Sequence, residues 1–345
     1  MKAFALYGKE DMRLEEMELP ALERGALLLR VLACAVCGSD ARMFFNGPTA
    51  RYTLPIVLGH EFVAQVEAVG EGVDGYSVGD LVGANSVIPC MRCPACTSGK
   101  NNICYNQKLF GVHIPGGFAE YVYVPPQMVA VGGIVRLPAG VDLRAAALTE
   151  VLACCVHGLR QVGGVDPNDE VLIVGDGAVG LTFLQLALLA GARRVVTSGR
   201  RPRRRELATA LGAHETIDAK QWSLADYARA HGLQPSLAIV AASSPEATAE
   251  ALAVVRPGGR VLLFSGYLPG TSVPLDVNAV HYRETLIVGS IDSTLGDFHD
   301  AAALLPRLRM GELVTHAYPF AQTVSAFYST REQDAVRVLV TMDQD

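Results

Sequence analysis

The sequence predicts a mixed α/β protein in which a β-rich domain is interrupted by an α/β domain built on a parallel sheet. Three observations lead there. The chain has 345 residues, and at roughly 100–200 residues per domain two domains are expected. Its first part carries short β-type runs separated by glycine clusters. Its middle part alternates apolar strands with helical segments.

The β-type runs are 26–33 (ALLLRVLA), 62–70 (FVAQVEAVG), 80–85 (DLVGAN) and 119–125 (AEYVYVP). Turn signals at such short intervals fit a strongly twisted β domain. The pattern changes near Leu148. Strands are expected at 171–175, 194–199, 236–243, 259–266 and 286–290, with helices at 180–192 and 204–213. Strands in alternation with helices argue for βαβ units and a parallel sheet. The last 50 or so residues return to mixed α and β, and packing on the β-rich part is expected of them.

Composition removes several classes of function. Half the residues are hydrophobic, 19% are charged, and the formal net charge is −6. Such a chain is folded, and it has no electrostatic reason to seek nucleic acid or anionic lipid. The N-terminal MKAFALYGKEDMRLEE lacks the apolar core of a signal peptide, and no apolar stretch has the roughly 18 residues of a membrane span. A soluble, cytoplasmic protein is expected. Of the eight cysteines, four fall in one short segment, so metal binding is expected over disulfides.

Gly175-Asp176-Gly177-Ala178-Val179-Gly180 closes an apolar strand and opens an apolar helix. In that context G-x-G-x-x-G is a dinucleotide-binding signal. The first glycine permits the tight turn, the second lets the backbone approach the pyrophosphate, and the third lets helix and strand pack closely. The end of the second strand then decides the cofactor. An NAD enzyme usually carries an acid there for the ribose 2′-hydroxyl. This chain carries Ser198-Gly199-Arg200-Arg201. A small residue leaves room for a 2′-phosphate and an arginine can hold it, so NADP is expected over NAD. Arg200 is the candidate for the phosphate and Arg204 for the adenosine.

Cys90, Cys93, Cys96 and Cys104 lie within fifteen residues. Four thiolates at this spacing suit one tetrahedral, closed, structural zinc. The lobe has little apolar content of its own, so the metal would supply its folding energy. A second constellation is dispersed along the chain: Cys37, His60, Glu61 and Glu150. A thiolate, an imidazole and one or two carboxylates fit a catalytic zinc with an open position. Two zinc ions per chain are therefore expected.

The order Cys37-Gly38-Ser39-Asp40, Gly59-His60-Glu61, the four-cysteine lobe, Gly116-Gly117-Phe118-Ala119-Glu120-Tyr121, Glu150 and the glycine motif resembles the zinc-containing medium-chain dehydrogenase/reductase superfamily over essentially the whole chain. Segments 132–138, 150–155 and 281–284 resemble its polyol branch, the sorbitol or L-iditol 2-dehydrogenases, near 2-deoxy-scyllo-inosamine dehydrogenases. The resemblance implies a GroES-like catalytic domain over 1–152 and 291–345 and a Rossmann domain over 153–290. It implies that Cys37, His60 and Glu61 bind catalytic zinc, that Glu150 is a further ligand or holds the bound water, and that Ser39 first accepts the alcohol proton. It also implies a homodimer or homotetramer.

Three positions depart from the family pattern. Arg42 stands where the family often has His, Val151 where the polyol branch usually has Pro, and Gly199 where an acid is expected. The expected function is reversible hydride transfer between NADP and a secondary alcohol of a polyol, sugar, cyclitol or aminocyclitol. Phe44, Phe45, Tyr52, His113 and Ile114 are candidate pocket positions. An L-threonine-type amino-alcohol dehydrogenase and a catalytically silent NADP-binding sensor are the alternatives.

Overall fold

A computed structural model describes residues 1–49 and 52–342. The chain divides into two units, Met1–Cys154 with Asp292–Asp345, and Cys155–Ile291.

In the first unit the long strands Leu27–Ala35 and Glu61–Val69 pair antiparallel at the centre of the main sheet. Leu81–Ala84 and Ile134–Arg136 extend it on one side, and Tyr121–Val124 pairs with the start of Leu27–Ala35. On the other side lie Arg337–Thr341 and then Val314–Pro319. The C-terminal return thus completes the sheet of the β-rich part. Alternation explains the core: Leu27, Leu29 and Val31 point inward, and Phe44, Phe62, Phe118 and Phe327 close over them. Phe44 packs on Phe45, Phe327 and Tyr328 with ring centroids 4.9–5.5 Å apart. Both expected pocket phenylalanines are therefore buried packing residues.

The second unit is a six-stranded sheet, ordered Glu215–Asp218, Arg194–Gly199, Glu170–Val174, Leu237–Val240, Arg260–Leu263, Leu286–Gly289, all pairs parallel. In chain order this is 3-2-1-4-5-6, the doubly wound dinucleotide-binding topology. Glu170–Val174 is buried at every position, as a central parallel strand with both faces covered must be. Strand Glu215–Asp218 escapes a hydropathy reading because it is an edge strand with only Ile217 fully buried. No helix among the described residues is long and apolar enough to cross a membrane.

Candidate catalytic and dinucleotide sites

In the first unit, Glu61 begins its strand opposite Ala35, and Cys37 follows two residues later. Cys37 is the N-cap of helix Gly38–Asn46, and its N–H donates to Asp40 Oδ2 at 3.1 Å. The other Asp40 oxygen stands 3.4 Å from His60 Nδ1. One buried acid therefore fixes both the cysteine turn and the imidazole. Ligand atoms of Cys37, His60 and Glu61 all lie within 4.8 Å of one another.

Close backbone packing makes this convergence possible. Gly59, just before His60, has φ +99°, and a side chain there would strike Cys34 and Phe118. Its carbonyl accepts from the Gly117 N–H at 2.8 Å. A Cβ on Gly116 would fall inside the Gly59 carbonyl oxygen. The Gly116-Gly117 pair is thus required by its crossing over the His60 turn.

Glu61 is fully buried, and neither carboxylate oxygen accepts a hydrogen bond. Among the described residues its ion-pair partner is Arg337, whose Nη1 lies 3.2 Å from Oε1 and also donates to the Val36 carbonyl at 3.1 Å. Burial opposes the Arg337 charge, but Glu61 and then Cys37 outweigh it and raise its pKa. Sequence reasoning missed Arg337, which sits more than 300 positions from Val36. For His60, burial likewise opposes protonation, and Asp40 and Cys37 outweigh it and raise its pKa well above the ordinary value. A buried carboxylate without hydrogen bonds, facing a thiol and an imidazole, is a cation-binding donor set.

Glu150 lies apart from this trio. It is the second residue of helix Thr149–Gln161, where Ser86 Oγ donates to its Oε1 at 3.0 Å and Cys154 Sγ approaches the same oxygen at 3.4 Å. Burial raises its pKa to about 7. Ser39 is half-buried in the first turn of helix Gly38–Asn46, and Arg42, one turn on, is exposed. His113 Nδ1 accepts from the Leu109 N–H at 3.1 Å, so that ring serves the backbone.

Cys90, Cys93, Cys96 and Cys104 present sulfurs that also lie within 4.8 Å of one another, and all four are free thiols. Cys93 stands 3.5 Å from Cys96 and 3.9 Å from Cys104. N–H groups of Cys90 and Asn106 donate to Cys104 Sγ. The Arg92 N–H leads several donors that lower the Cys90 pKa to about 6. These cysteines and Ala95 form a small cluster of their own, separate from the main core. The other large apolar side chains in and beside the lobe, Met91, Ile103 and Tyr105, are exposed and do not join that cluster.

In the second unit the glycine loop leaves strand Glu170–Val174 at the end beside which the strand order reverses. Gly175 has φ +124°, and a Cβ there would lie 3.0 Å from the Ala241 backbone. A Cβ on Gly180 would fall inside the Gly175 carbonyl oxygen. Helix Ala178–Leu189 has Gly177 as N-cap with no side-chain cap. Its first N–H groups are thereby left to a phosphate. At the end of the second strand, Ser198 and Gly199 are buried and Arg200 is exposed. Arg205 is occupied by Asp218 at 2.9 Å. Arg204 Nη1 lies 4.0 Å from Asp176 Oδ1.

Two family profiles match the chain: "Alcohol dehydrogenase GroES-like domain" over residues 23–134 and "Zinc-binding dehydrogenase" over residues 178–307. The chain is 32% identical to L-threonine 3-dehydrogenase of Pyrococcus horikoshii, over 92% of this chain and 90% of that protein. It is 30% identical to L-galactonate-5-dehydrogenase of Escherichia coli, over 91% and 90%. The NADP-bound structure of a Sinorhizobium meliloti 1021 zinc-binding dehydrogenase superposes with a TM-score of 0.91 at 28% identity, over 99% of this chain and 98% of that one. The NADH complex of an alcohol dehydrogenase from Escherichia coli CFT073 gives 0.90 at 27%, over 99% of both chains.

Proposed function

This chain belongs to the zinc-containing medium-chain alcohol dehydrogenase family, and on that premise we propose that it is a two-zinc, NADP-linked dehydrogenase of secondary alcohols on polyhydroxylated small molecules. One observation carries the reading. The fully buried Glu61 carboxylate, free of hydrogen bonds, faces the Cys37 thiol and the His60 imidazole within 4.8 Å. The cation it calls for would be held by Cys37, His60 and Glu61. A second would be held by the four lobe cysteines, whose sulfur set is closed to other ligands and therefore structural.

Zinc at the first site supplies Lewis acidity toward a hydroxyl or ketone, and the dinucleotide supplies the hydride acceptor. The chain's own residues do the rest. Asp40 holds the His60 ring and the Cys37 turn in place. Ser39 takes the hydroxyl proton and, half-buried, passes it toward water. Arg42 cannot relay it, because a guanidinium has no accepting atom. Glu150 stands outside the trio under Ser86 and Cys154, which supports the second of its two expected roles, holding a water near the open position. Gly175, Gly177, Ala178, Val179 and Gly180 would seat the pyrophosphate. Ser198, Gly199, Arg200 and Arg204 would seat the adenosine and its 2′-phosphate.

The polyol substrate class is supported by sugar-acid and sugar-alcohol dehydrogenases among the relatives, L-galactonate-5-dehydrogenase and the sorbitol dehydrogenase of Halalkalibacterium halodurans. A three-residue ligand set of Cys37, His60 and Glu61, which leaves a zinc an open position, suits chelation of a vicinal diol. The L-threonine dehydrogenase relative keeps the amino-alcohol reading as the second one. A panel of polyols, cyclitols, sugars and L-threonine, each with NAD and NADP, separates them by formation of reduced cofactor. Turnover confined to L-threonine would overturn the polyol assignment.

A homo-oligomer is the assembly the reading favours. Strand Leu286–Gly289 is a sheet edge, and Leu286, Ile291 and Tyr282 beside it are 50%, 57% and 81% exposed. Open edges with exposed apolar side chains are normally covered.

A further inference from the structure

We propose that Asp176 sets coenzyme choice in this protein, by placing a carboxylate from the glycine loop where the second strand has lost its own. The inference rests on the dinucleotide reading of the second unit.

The strand-end position that carries an acid in NAD enzymes is Gly199 here. The space beside it is filled. A Cβ built on Gly199 would fall inside the Asp176 side chain, overlapping Oδ2 and Cγ and reaching Cβ at 2.5 Å. The missing side chain has been replaced in space by one from 23 positions earlier, across the parallel pair that joins Val174 to Ser198. The two positions are sterically coupled: a side chain at 199 would displace the Asp176 carboxylate from where it stands.

Asp176 is 92% buried, at 8% exposure, and its position is fixed. The Arg201 N–H donates to Oδ2 at 3.2 Å. Arg201 is the N-cap of helix Pro202–Ala210, and Pro202 has no N–H, so Asp176 occupies the N–H that leads into that helix. Its other oxygen, Oδ1, has Arg204 Nη1 at 4.0 Å, too far for a hydrogen bond. That oxygen is left as an acceptor.

Two opposed groups therefore share the adenosine-ribose end. Arg200 and Arg204 attract a 2′-phosphate. Asp176 repels one, keeps the Arg201 N–H from it, partly screens Arg204, and can accept a ribose 2′-hydroxyl as the absent strand-end acid would. Arg204 and Asp176 lie 4.0 Å apart with both side chains largely buried, where charges are weakly screened. The consequence is a protein that binds both dinucleotides, with its NADP preference held down by Asp176.

The test is the ratio of dissociation constants, Kd for NAD over Kd for NADP, measured by titration calorimetry on the full zinc-loaded chain. Asp176→Asn keeps the shape and removes the charge. Asp176→Ser also frees the Arg201 N–H. The expected result is a rise in the ratio of about tenfold or more in Asp176→Asn, equivalent to about 1.4 kcal/mol, and a larger rise in Asp176→Ser. Thermal melts show that both variants are folded, and a purely structural Asp176 would lower the melting temperature without moving the ratio. An unchanged or lowered ratio in folded variants overturns the role of Asp176 and leaves the dinucleotide site standing. Failure of the wild-type protein to bind either dinucleotide overturns both.

Discussion

Arg337 Nη1 lies 3.2 Å from Glu61 Oε1, with both side chains almost wholly withdrawn from water. The last strand of the chain thus supplies the counter-charge for a carboxylate at the proposed catalytic centre. Removing one partner of a buried pair costs about 3–5 kcal/mol, because the other charge stays buried alone. Arg337→Met should therefore destabilise chelator-treated protein by about 3 kcal/mol in urea unfolding, and zinc should narrow the loss by giving Glu61 another cation. An equal loss with and without zinc would separate Arg337 from the metal site.

The cysteine lobe should behave as a metal-held element. Cys93→Ser removes one of four sulfurs that lie within 4.8 Å of each other. Metal analysis should show one zinc per chain lost, and limited proteolysis should cut within 90–104. Retention of both ions would contradict the closed structural site.

Coenzyme preference should depend on the basic group at the second strand end. Arg200 is exposed there, and an Arg–phosphate pair is a strong charge-assisted contact. Arg200→Asp should swing the kcat/KM preference from NADP toward NAD by about 100-fold. A preference that survives the substitution removes Arg200 from the account.

The dinucleotide-binding unit carries its own pH-sensitive pin. Asp169 accepts from Ser236 Oγ at 2.7 Å, from the Asp166 N–H at 2.8 Å and from Arg260 Nη2 at 2.5 Å. Burial raises its pKa, but the Asp166 N–H, Ser236 and Arg260 together outweigh burial and leave it lowered from 3.8. A lowered carboxylate pKa stabilises the fold above the unfolded value, and that stability is lost as pH falls through the folded value. Asp169→Asn should cost about 2–4 kcal/mol at neutral pH. The gap to wild type should shrink below about pH 4. A gap that widened in acid would have the wrong sign.

Features carried by local spacing were legible in the sequence. The glycine loop and the four-cysteine lobe each lie within one short segment, so motif and geometry coincide. Cys37 and the His60-Glu61 pair lie in two separate stretches, so they were readable through the chemistry of their residue types and through family resemblance, not through local spacing. What stayed hidden depends on register between distant strands. Arg337 reaches Glu61 because Leu339 pairs with Ala35. Ser86 reaches Glu150 across 64 positions. Asp176 was visible only as a variable position between glycines; that it leans over Gly199 follows from side-chain direction, which no spacing encodes. Phe44 and Phe45 were misread toward a pocket for the opposite reason: aromatic residues near a ligand motif look alike whether they line a cavity or fill a core.

The central claim is that hydride transfer depends on a metal held by Cys37, His60 and Glu61. Its most direct test is NADP reduction by the best polyol of the panel, measured in His60→Ala beside zinc content and NADP affinity. The variant should be a folded protein that keeps the lobe zinc and binds NADP normally, loses the second zinc, and turns over about a thousandfold more slowly or worse. Near-normal turnover in that variant, with one zinc per chain, would contradict the claim.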